Sequence, residues 1–470
     1  ALFLTVSCRK EGTNMKKKDY LIIGGILLVH LFLLFYLKFT AWPEISLWPY
    51  LLTKGWLPYS DIAIAHTPLA IFDLAIFYKI FGTDVLQLKI FTWSLILLSD
   101  TLIFFLVKKI WKKKAAFLSL IFYIFWMLFY DGNGFWFDLY MGIFAFCSFY
   151  FARSRKWLLA GVFWGLSFIS KQTAIWFLVP ILLEMIINLQ HHYVRNNVIN
   201  YRLLAGKFMR FVAGGFIVAI IFIVILWSIG ILSDFWNWAF HFGIFVLPKA
   251  QGQIQLPDTK TLFASLLPFT IFVPLVIKSK KYLILILWAI AGMLGTYPRF
   301  EYFHFQPALF YLAIIGALVM SEKKNLLLKI FIPIYILGSL YLMFRYFVRN
   351  FSEGTRFHES EVVEIVDYIK YNTQKGDRIF VLNYWDNIYA LTETLPSTKP
   401  WVPQLSWYME EPSIQEKMVE DLISNPPKLI VYKPYTSTGL SSYVPKKVYD
   451  YVTENYKIES NIEGIEILSK

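Results

Sequence analysis

The sequence predicts an all-α polytopic membrane bundle of about eleven transmembrane helices, followed by a small C-terminal α/β extracytoplasmic domain. Three observations carry this. Hydrophobic residues make up 57% of the chain and charged residues only 16%, against roughly 25% charged in a typical globular domain, and mean hydropathy is +0.52. Aromatic residues reach 19%, with 29 Tyr and 17 Trp, the side chains that favour the membrane–water boundary. Lys and Arg come in short blocks between apolar runs, the pattern that fixes membrane orientation. These blocks produce the net charge of +13, so the charge argues for no nucleic-acid partner, and the composition excludes intrinsic disorder.

Residues 1–14 precede Met15 and the lysines Lys16, Lys17 and Lys18. This stretch is expected to be a non-native or disordered extension, with the native start at Met15. Leu2 to Val6 is too short for a signal-peptide core, and Thr5 stands where a lipoprotein signal before Cys8 needs an apolar residue. With Cys147 as the other cysteine, neither a disulfide framework nor a metal-ligand spacing exists.

The apolar run 19–40 follows three lysines, so its helix should run from cytoplasm to exterior. The next basic block, Lys108 to Lys114, should also be cytoplasmic. Only one of the two intervening apolar segments can then cross. The segment 87–107 is long enough, whereas 68–82 falls short of the ~20 residues a span needs and carries Asp73 and Lys79. It is read as a surface helix packed against the first outer loop, 41–67. The same parity puts further spans near 115–130, 139–152, 157–170, 173–189, 209–231, 261–277, 282–296, 306–320 and 330–348. The stretch 157–189 has basic flanks at both ends, so it is a hairpin whose apex, Ser170-Lys171-Gln172-Thr173, lies on the outer side. An odd number of spans leaves 351–470 outside, after a transmembrane domain over 15–350. In that soluble domain Ser360 to Asn372 reads as an amphipathic helix, Arg378 to Leu382 and Lys428 to Tyr432 as buried strands, Ser413-Ile-Gln-Glu416 as a capping box, and 445–455 as a last helix.

Sorting polar residues by this topology collects an unusual set on the outer side. The first loop holds Glu44, then Gly55-Trp-Leu-Pro-Tyr59-Ser-Asp61, then His66-Thr-Pro-Leu69. The next holds Asp131 and Asp138, followed by Lys171, His241, and the run Tyr297-Pro-Arg299-Phe-Glu301-Tyr302-Phe-His304. Lys and Arg bind phosphate and a carboxylate can take a proton from an attacking hydroxyl, which is the chemistry an anionic lipid-linked substrate needs.

The order of acidic residue after the first helix, Gly-x-x-Pro-Tyr-x-Asp, His-x-Pro-Leu and surface helix resembles the GT-C superfamily of polyprenyl-phosphate-sugar glycosyltransferases. The nearest branch is the protein mannosyltransferase and aminoarabinose transferase type. The resemblance covers the first 190 residues best and continues through Lys171-Gln-Thr and the Pro298-Arg299 stretch. It implies a GT-C-like catalytic domain, a polyprenyl-phosphate sugar donor, and a glycan, lipid or protein acceptor. It also implies a catalytic carboxylate, matched by Glu44 and Asp61, with Tyr59, His66, Asp131, Asp138, Lys171, Arg299, Tyr302 and His304 as substrate-binding candidates. The family's Asp-Glu pair is matched here by Pro43-Glu44, so one acid is absent and the base is either Glu44 or Asp61.

Each candidate also has a plainer reading. Glu44 can be an exposed acid past a helix end, Asp61 a turn residue, and His66 a ring bonded to a loop carbonyl. Asp131 and Asp138 can be solvated loop acids, Lys171 a snorkelling side chain, and Arg299 the partner of Glu301. Asp100 must face the bundle, because lipid exposure would be costly.

The resulting expectation is a hexosyl or pentosyl transferase acting by a single inverting displacement, in the cell membrane among bounding lipids, with the N-terminus cytoplasmic. Cations beside the leaving phosphate would stabilise its developing charge. A divalent cation can share that task, although no ligand cluster stands out. The rivals are a transporter or flippase of lipid-linked saccharides, which calls for internal repeats and helices broken at mid-membrane, and an oligosaccharide polymerase or ligase, which calls for a large charged loop late in the chain. A non-enzymatic receptor is opposed by the loop signature alone.

Overall fold

The computed structural model describes residues 15–190, 201–250, 253–272, 282–321, 326–411, 413–436 and 443–470. The extension 1–14 with Cys8, and several basic anchors including Lys278, Lys280, Lys281, Lys323 and Lys324, lie outside the described residues. Helix occupies each of the eleven predicted stretches, as far as they are described. Among the described residues, five helices are long and apolar enough to cross a membrane: Lys17–Tyr36, Val85–Ile110, Arg202–Ser228, Tyr302–Met320 and Leu328–Asn350. This is a mostly helical, multi-pass membrane protein. Exposed apolar side chains cluster on the outer helices, with Phe216, Ile221 and Trp227 on one and Ile334, Leu337 and Phe344 on another, as a lipid-facing surface requires.

The chain divides into two compact units. The first comprises the described residues within Ala1–Lys38, Thr92–Val224 and Leu256–Glu353. Its centre is the helix Gln306–Met320, which packs on Lys113–Phe129, Phe137–Arg153 and Leu283–Met293 and buries nearly all its side chains. Several charged groups inside this unit are paired. His30 Nδ1 meets Asp100 Oδ2 at 2.6 Å with both side chains fully buried, the inward pairing expected for Asp100. Arg153 donates to Glu184 at 2.7 Å. The helices Trp157–Ser170 and Tyr201–Ser228 touch backbone to backbone, since a Cβ on Gly161 would stand 1.9 Å from the Phe211 carbonyl oxygen. Small residues permit such contacts between apolar helices.

The second unit comprises Phe39–Phe91, the described residues within Ile225–Gln255, and those within Gly354–Lys470. The short strand Phe39–Thr40 pairs in parallel with Thr355–Arg356. A five-stranded sheet runs in the order Leu395–Pro396, Arg378–Leu382, Ile430–Tyr432, Ile465–Ser469, Lys457–Ile462. Its first three strands are parallel and its last two antiparallel to their neighbours. Phe380, Leu382, Ile430 and Leu468 pack with Met418, Leu422, Val448 and Val452 from the helices into one core.

Two local expectations differ from the structure. The first loop contains a helix, Pro43–Thr53, opened by Pro at its first position, where the missing N–H costs nothing. The capping box at Ser413 does not form: Ser413 has φ 67° and makes no side-chain cap bond, and Glu416 pairs with Lys447 instead. The surface segment 68–82 is the helix Leu69–Phe81, ended by Gly82 at φ 98°.

Candidate functional site

In the first unit, three candidates from distant parts of the sequence meet. Asp138 stands in the first turn of Phe137–Arg153, where a negative charge complements the helix dipole. Lys171 ends the helix Trp157–Ser170 with extended backbone at φ −159°, and a 3-10 turn, Gln172–Phe177, follows. This break falls at the predicted apex. His304 lies in the 3-10 turn Tyr302–Phe305 that feeds the central helix.

Lys171 Nζ lies 2.6 Å from Asp138 Oδ2 and 2.9 Å from His304 Nδ1, and His304 Nδ1 lies 3.0 Å from the same carboxylate oxygen. All three are buried. With Lys171 charged, its ammonium donates to the carboxylate and to the Nδ1 lone pair, which leaves one of its three protons uncommitted. Asp138 Oδ1 is buried with no hydrogen-bond partner among the described residues. It faces Gly295 and Thr173: a Cβ on that glycine would lie 3.8 Å from Oδ1 and 3.6 Å from Thr173 Oγ1. The arrangement therefore offers one ammonium proton and one carboxylate oxygen on an oriented scaffold.

Arg299 pairs with Glu301 at 3.9 Å with both side chains half-exposed, and its charge reaches His304. Tyr302 packs edge-on against Phe129 at 5.6 Å. Asp131 has φ 52° and is half-buried, and its carbonyl accepts from Gln306 at 3.3 Å.

In the second unit, Glu44 stands in the first turn of Pro43–Thr53 and is half-buried. Asp61 closes a tight turn: its Oδ2 accepts from the Leu57 N–H at 2.8 Å and meets Lys399 Nζ at 3.0 Å. Its backbone carbonyl also accepts from Trp401 at 2.8 Å. Tyr59 has φ 67°, a buried ring 5.1 Å from Phe235, and a hydroxyl that donates to the His66 carbonyl at 2.7 Å. The His66 ring is half-exposed.

Sequence reasoning missed Asp386. It precedes the helix Asn387–Thr392, which packs against Pro43–Thr53. Burial first, then the charge of Glu44, holds its carboxyl well above the usual carboxylate range, while a bond from Trp401 opposes the shift. Its position just past the carboxyl end of the parallel strand Arg378–Leu382 was the available signal. Among the described residues, no group of three or more His, Cys, Asp or Glu side chains is placed to hold a metal ion.

A polytopic helical bundle with a small α/β unit is a GT-C-like fold. Residues 65–227 match the family model described as dolichyl-phosphate-mannose-protein mannosyltransferase, and the resemblance to the GT-C superfamily read from the sequence is borne out. The structure of ArnT from Cupriavidus metallidurans bound to undecaprenyl phosphate is similar with a TM-score of 0.64, covering 97% of this chain and 98% of that chain at 11% identity. The oligosaccharyltransferase of Archaeoglobus fulgidus tethered to an acceptor peptide is similar with a TM-score of 0.53, covering 94% and 72% at 10% identity. Its apo form gives 0.51, covering 89% and 70% at 12% identity. At these identities the likeness is one of fold. No curated protein matches by sequence.

Proposed function

We propose that this chain transfers a sugar from a polyprenyl-phosphate donor to an extracytoplasmic acceptor. The observation that carries the reading is the convergence of Lys171, Asp138 and His304 within a fold shared with a protein whose structure holds undecaprenyl phosphate. Asp138 and His304 fix the ammonium, and its remaining proton binds a phosphate oxygen of the donor. Arg299 adds a second cation, and together they stabilise the charge that grows on the leaving phosphate.

Glu44 is the general base. It stands half-buried in the first turn of Pro43–Thr53, at the position matched to the acid that follows the first helix in the resembling family. Glu44 takes the proton of the acceptor hydroxyl, the hydroxyl oxygen bonds to the anomeric carbon, and the bond from that carbon to the phosphate oxygen breaks. The phosphate leaves with the electron pair, and a single displacement inverts the anomeric centre. Hydrogen bonds from Tyr59 to the His66 carbonyl and from Leu57 to Asp61 hold the loop that follows Glu44. The donor and acceptor subsites face outside, with the N-terminus cytoplasmic.

The test compares Glu44→Gln with Asp61→Asn at matched membrane expression. Glu44→Gln should slow transfer about a hundredfold or more, the scale for losing a general base, while Asp61→Asn should act mainly through stability. Near-normal turnover in Glu44→Gln removes Glu44 from the mechanism.

A further inference from the structure

The helices Trp157–Ser170 and Tyr201–Ser228 meet at Gly161 with Phe211 and again at Gly165 with Val218, where an added Cβ would lie 3.0 Å from Val218 Cβ. These meeting points advance together, so the helices run in parallel and residues one turn earlier also meet. They are Trp157 and Lys207, whose ammonium lies 6.0 Å from the centre of the indole ring.

Both side chains are buried, with Lys207 8% exposed and Trp157 3% exposed. Each ends in a buried donor that has no acceptor among the described residues: Lys207 Nζ and Trp157 Nε1. The ring face attracts the ammonium but supplies no lone pair for its three protons. An enclosed charge in that state is costly, and a buried indole N–H without an acceptor adds to the cost.

The charge around the pair is positive. The sequence has no Asp or Glu between Glu184 and Asp234, and Glu184 is held by Arg153 at 2.7 Å. Arg155, at φ 60° in the turn before Trp157, acts on the Lys207 ammonium with a like charge. Lys156 is the N-cap of the helix that Trp157 opens, and that helix has no acidic residue in its first turn and no side-chain cap bond. Its leading N–H groups and the positive end of its dipole are therefore presented beside the two orphaned donors.

We propose that this end of the two helices is a phosphate-binding site, filled by the head group of an anionic phospholipid from the surrounding leaflet. The ammonium lies over the ring face while the indole N–H leaves the ring edge, so the donors come from different directions. A phosphate suits them because its several oxygens accept from Lys207 Nζ, Trp157 Nε1 and the first-turn N–H groups at once. Exposed apolar side chains flank the site, Leu158 and Leu159 on one helix and Leu203 and Phe208 on the other, and these give acyl chains a surface that a free ion would not use. Lys171 ends the same helix at its opposite end, roughly 20 Å away at 1.5 Å per residue. The site is thus separate from the donor phosphate, at the end of the bundle read as cytoplasmic.

The experiment uses the purified full-length chain in neutral detergent, with native mass spectrometry and thermal unfolding on the same samples. The probes are phosphatidylglycerol, phosphatidylcholine and inorganic phosphate. Phosphatidylglycerol should bind the wild type as one tight adduct and raise its Tm, and phosphatidylcholine should do so only weakly. Lys207→Met should lower phosphatidylglycerol affinity about ten- to a hundredfold, the scale of a charge-assisted bond, and without lipid it should unfold no earlier than the wild type. Trp157→Phe, which keeps a ring and lacks the N–H, should show a smaller loss. Lys114→Met removes an exposed lysine and should leave affinity within about twofold. Unchanged affinity in Lys207→Met, or an equal loss in Lys114→Met, overturns the site. Inorganic phosphate that raises Tm as far as the lipid at matched concentration, and fails to in Lys207→Met, removes the lipid as the source of the phosphate. If Lys207→Met does not accumulate, Trp157→Phe carries the test, and undiminished affinity there overturns the site.

Discussion

Replacing Lys171 by Met removes the ammonium while keeping an unbranched side chain of similar reach. Asp138 Oδ2 then loses its 2.6 Å bond and keeps only the 3.0 Å contact to His304 Nδ1, while Oδ1 has no partner among the described residues. The Asp138 side chain is 0% exposed and that of Lys171 4% exposed, so the ~0–1 kcal/mol of a surface pair does not apply. Stranding one member of a buried pair costs about 3–5 kcal/mol. Asp138→Asn strands the ammonium instead and should cost a similar amount. The double variant Lys171→Met with Asp138→Asn strands no charge, so its loss should fall short of the summed single losses by about 3 kcal/mol. Thermal unfolding in nanodiscs, followed by tryptophan fluorescence at one scan rate, reads this as a Tm that largely recovers in the double variant. Affinity for a polyprenyl phosphate should not recover, because the uncommitted ammonium proton is gone. Additive Tm losses would refute the buried pair, and donor affinity that recovers together with Tm would refute the phosphate role.

Three further expectations follow from the geometry. Arg299→Lys should impair transfer and Arg299→Ala should weaken binding of a polyprenyl phosphate roughly ten- to a hundredfold, from about 1.5–3 kcal/mol for a charge-assisted bond; Tm should barely move, since the 3.9 Å contact to Glu301 is half-exposed, and unchanged affinity in calorimetry would exclude the role. A cysteine at the exposed Ser360, in a chain lacking Cys8 and Cys147, should react with an impermeant thiol reagent in intact cells, and labelling only after lysis would overturn the orientation; the companion position Ser441 lies outside the described residues. Asp386 binds its proton more tightly in the folded than in the unfolded chain, so the stability it contributes is full below its ordinary value of 3.8 and is lost as pH rises through the folded value. Asp386→Asn should therefore raise Tm relative to the wild type at about pH 8 and leave it nearly unchanged at about pH 4, whereas a lowered Tm at both would contradict the shifted carboxyl.

What the sequence made legible follows its periodicities. Arg378–Leu382 was readable because a short apolar run between polar flanks matches a buried strand, and Leu69–Phe81 because its apolar run is too short to span and carries Asp73 and Lys79. The helix Pro43–Thr53 was hidden by its two prolines and by the aromatic residues Trp42, Trp48 and Tyr50 beside them, which read as loop although Pro43 stands where a helix tolerates it. Sorting charges by membrane side put Asp138, Lys171 and His304 in one set, but their mutual contact depends on helix packing that no local pattern encodes. The same holds for Asp386, whose relation to Glu44 exists only because two short helices from opposite ends of the chain pack together. Ser413 failed for a backbone reason: at φ 67° it makes none of the cap bonds its sequence pattern suggests.

The account is tested most directly by following the fate of the donor. Purified full-length chain in nanodiscs, given a panel of polyprenyl-phosphate sugars and an acceptor-bearing membrane extract, is assayed by mass spectrometry for released polyprenyl phosphate and by NMR for the product's anomeric configuration. The account predicts release from a donor in the panel, an anomeric centre inverted relative to that donor, and release slowed about a hundredfold in Glu44→Gln. Retention of configuration, or release equally fast in Glu44→Gln, would contradict it.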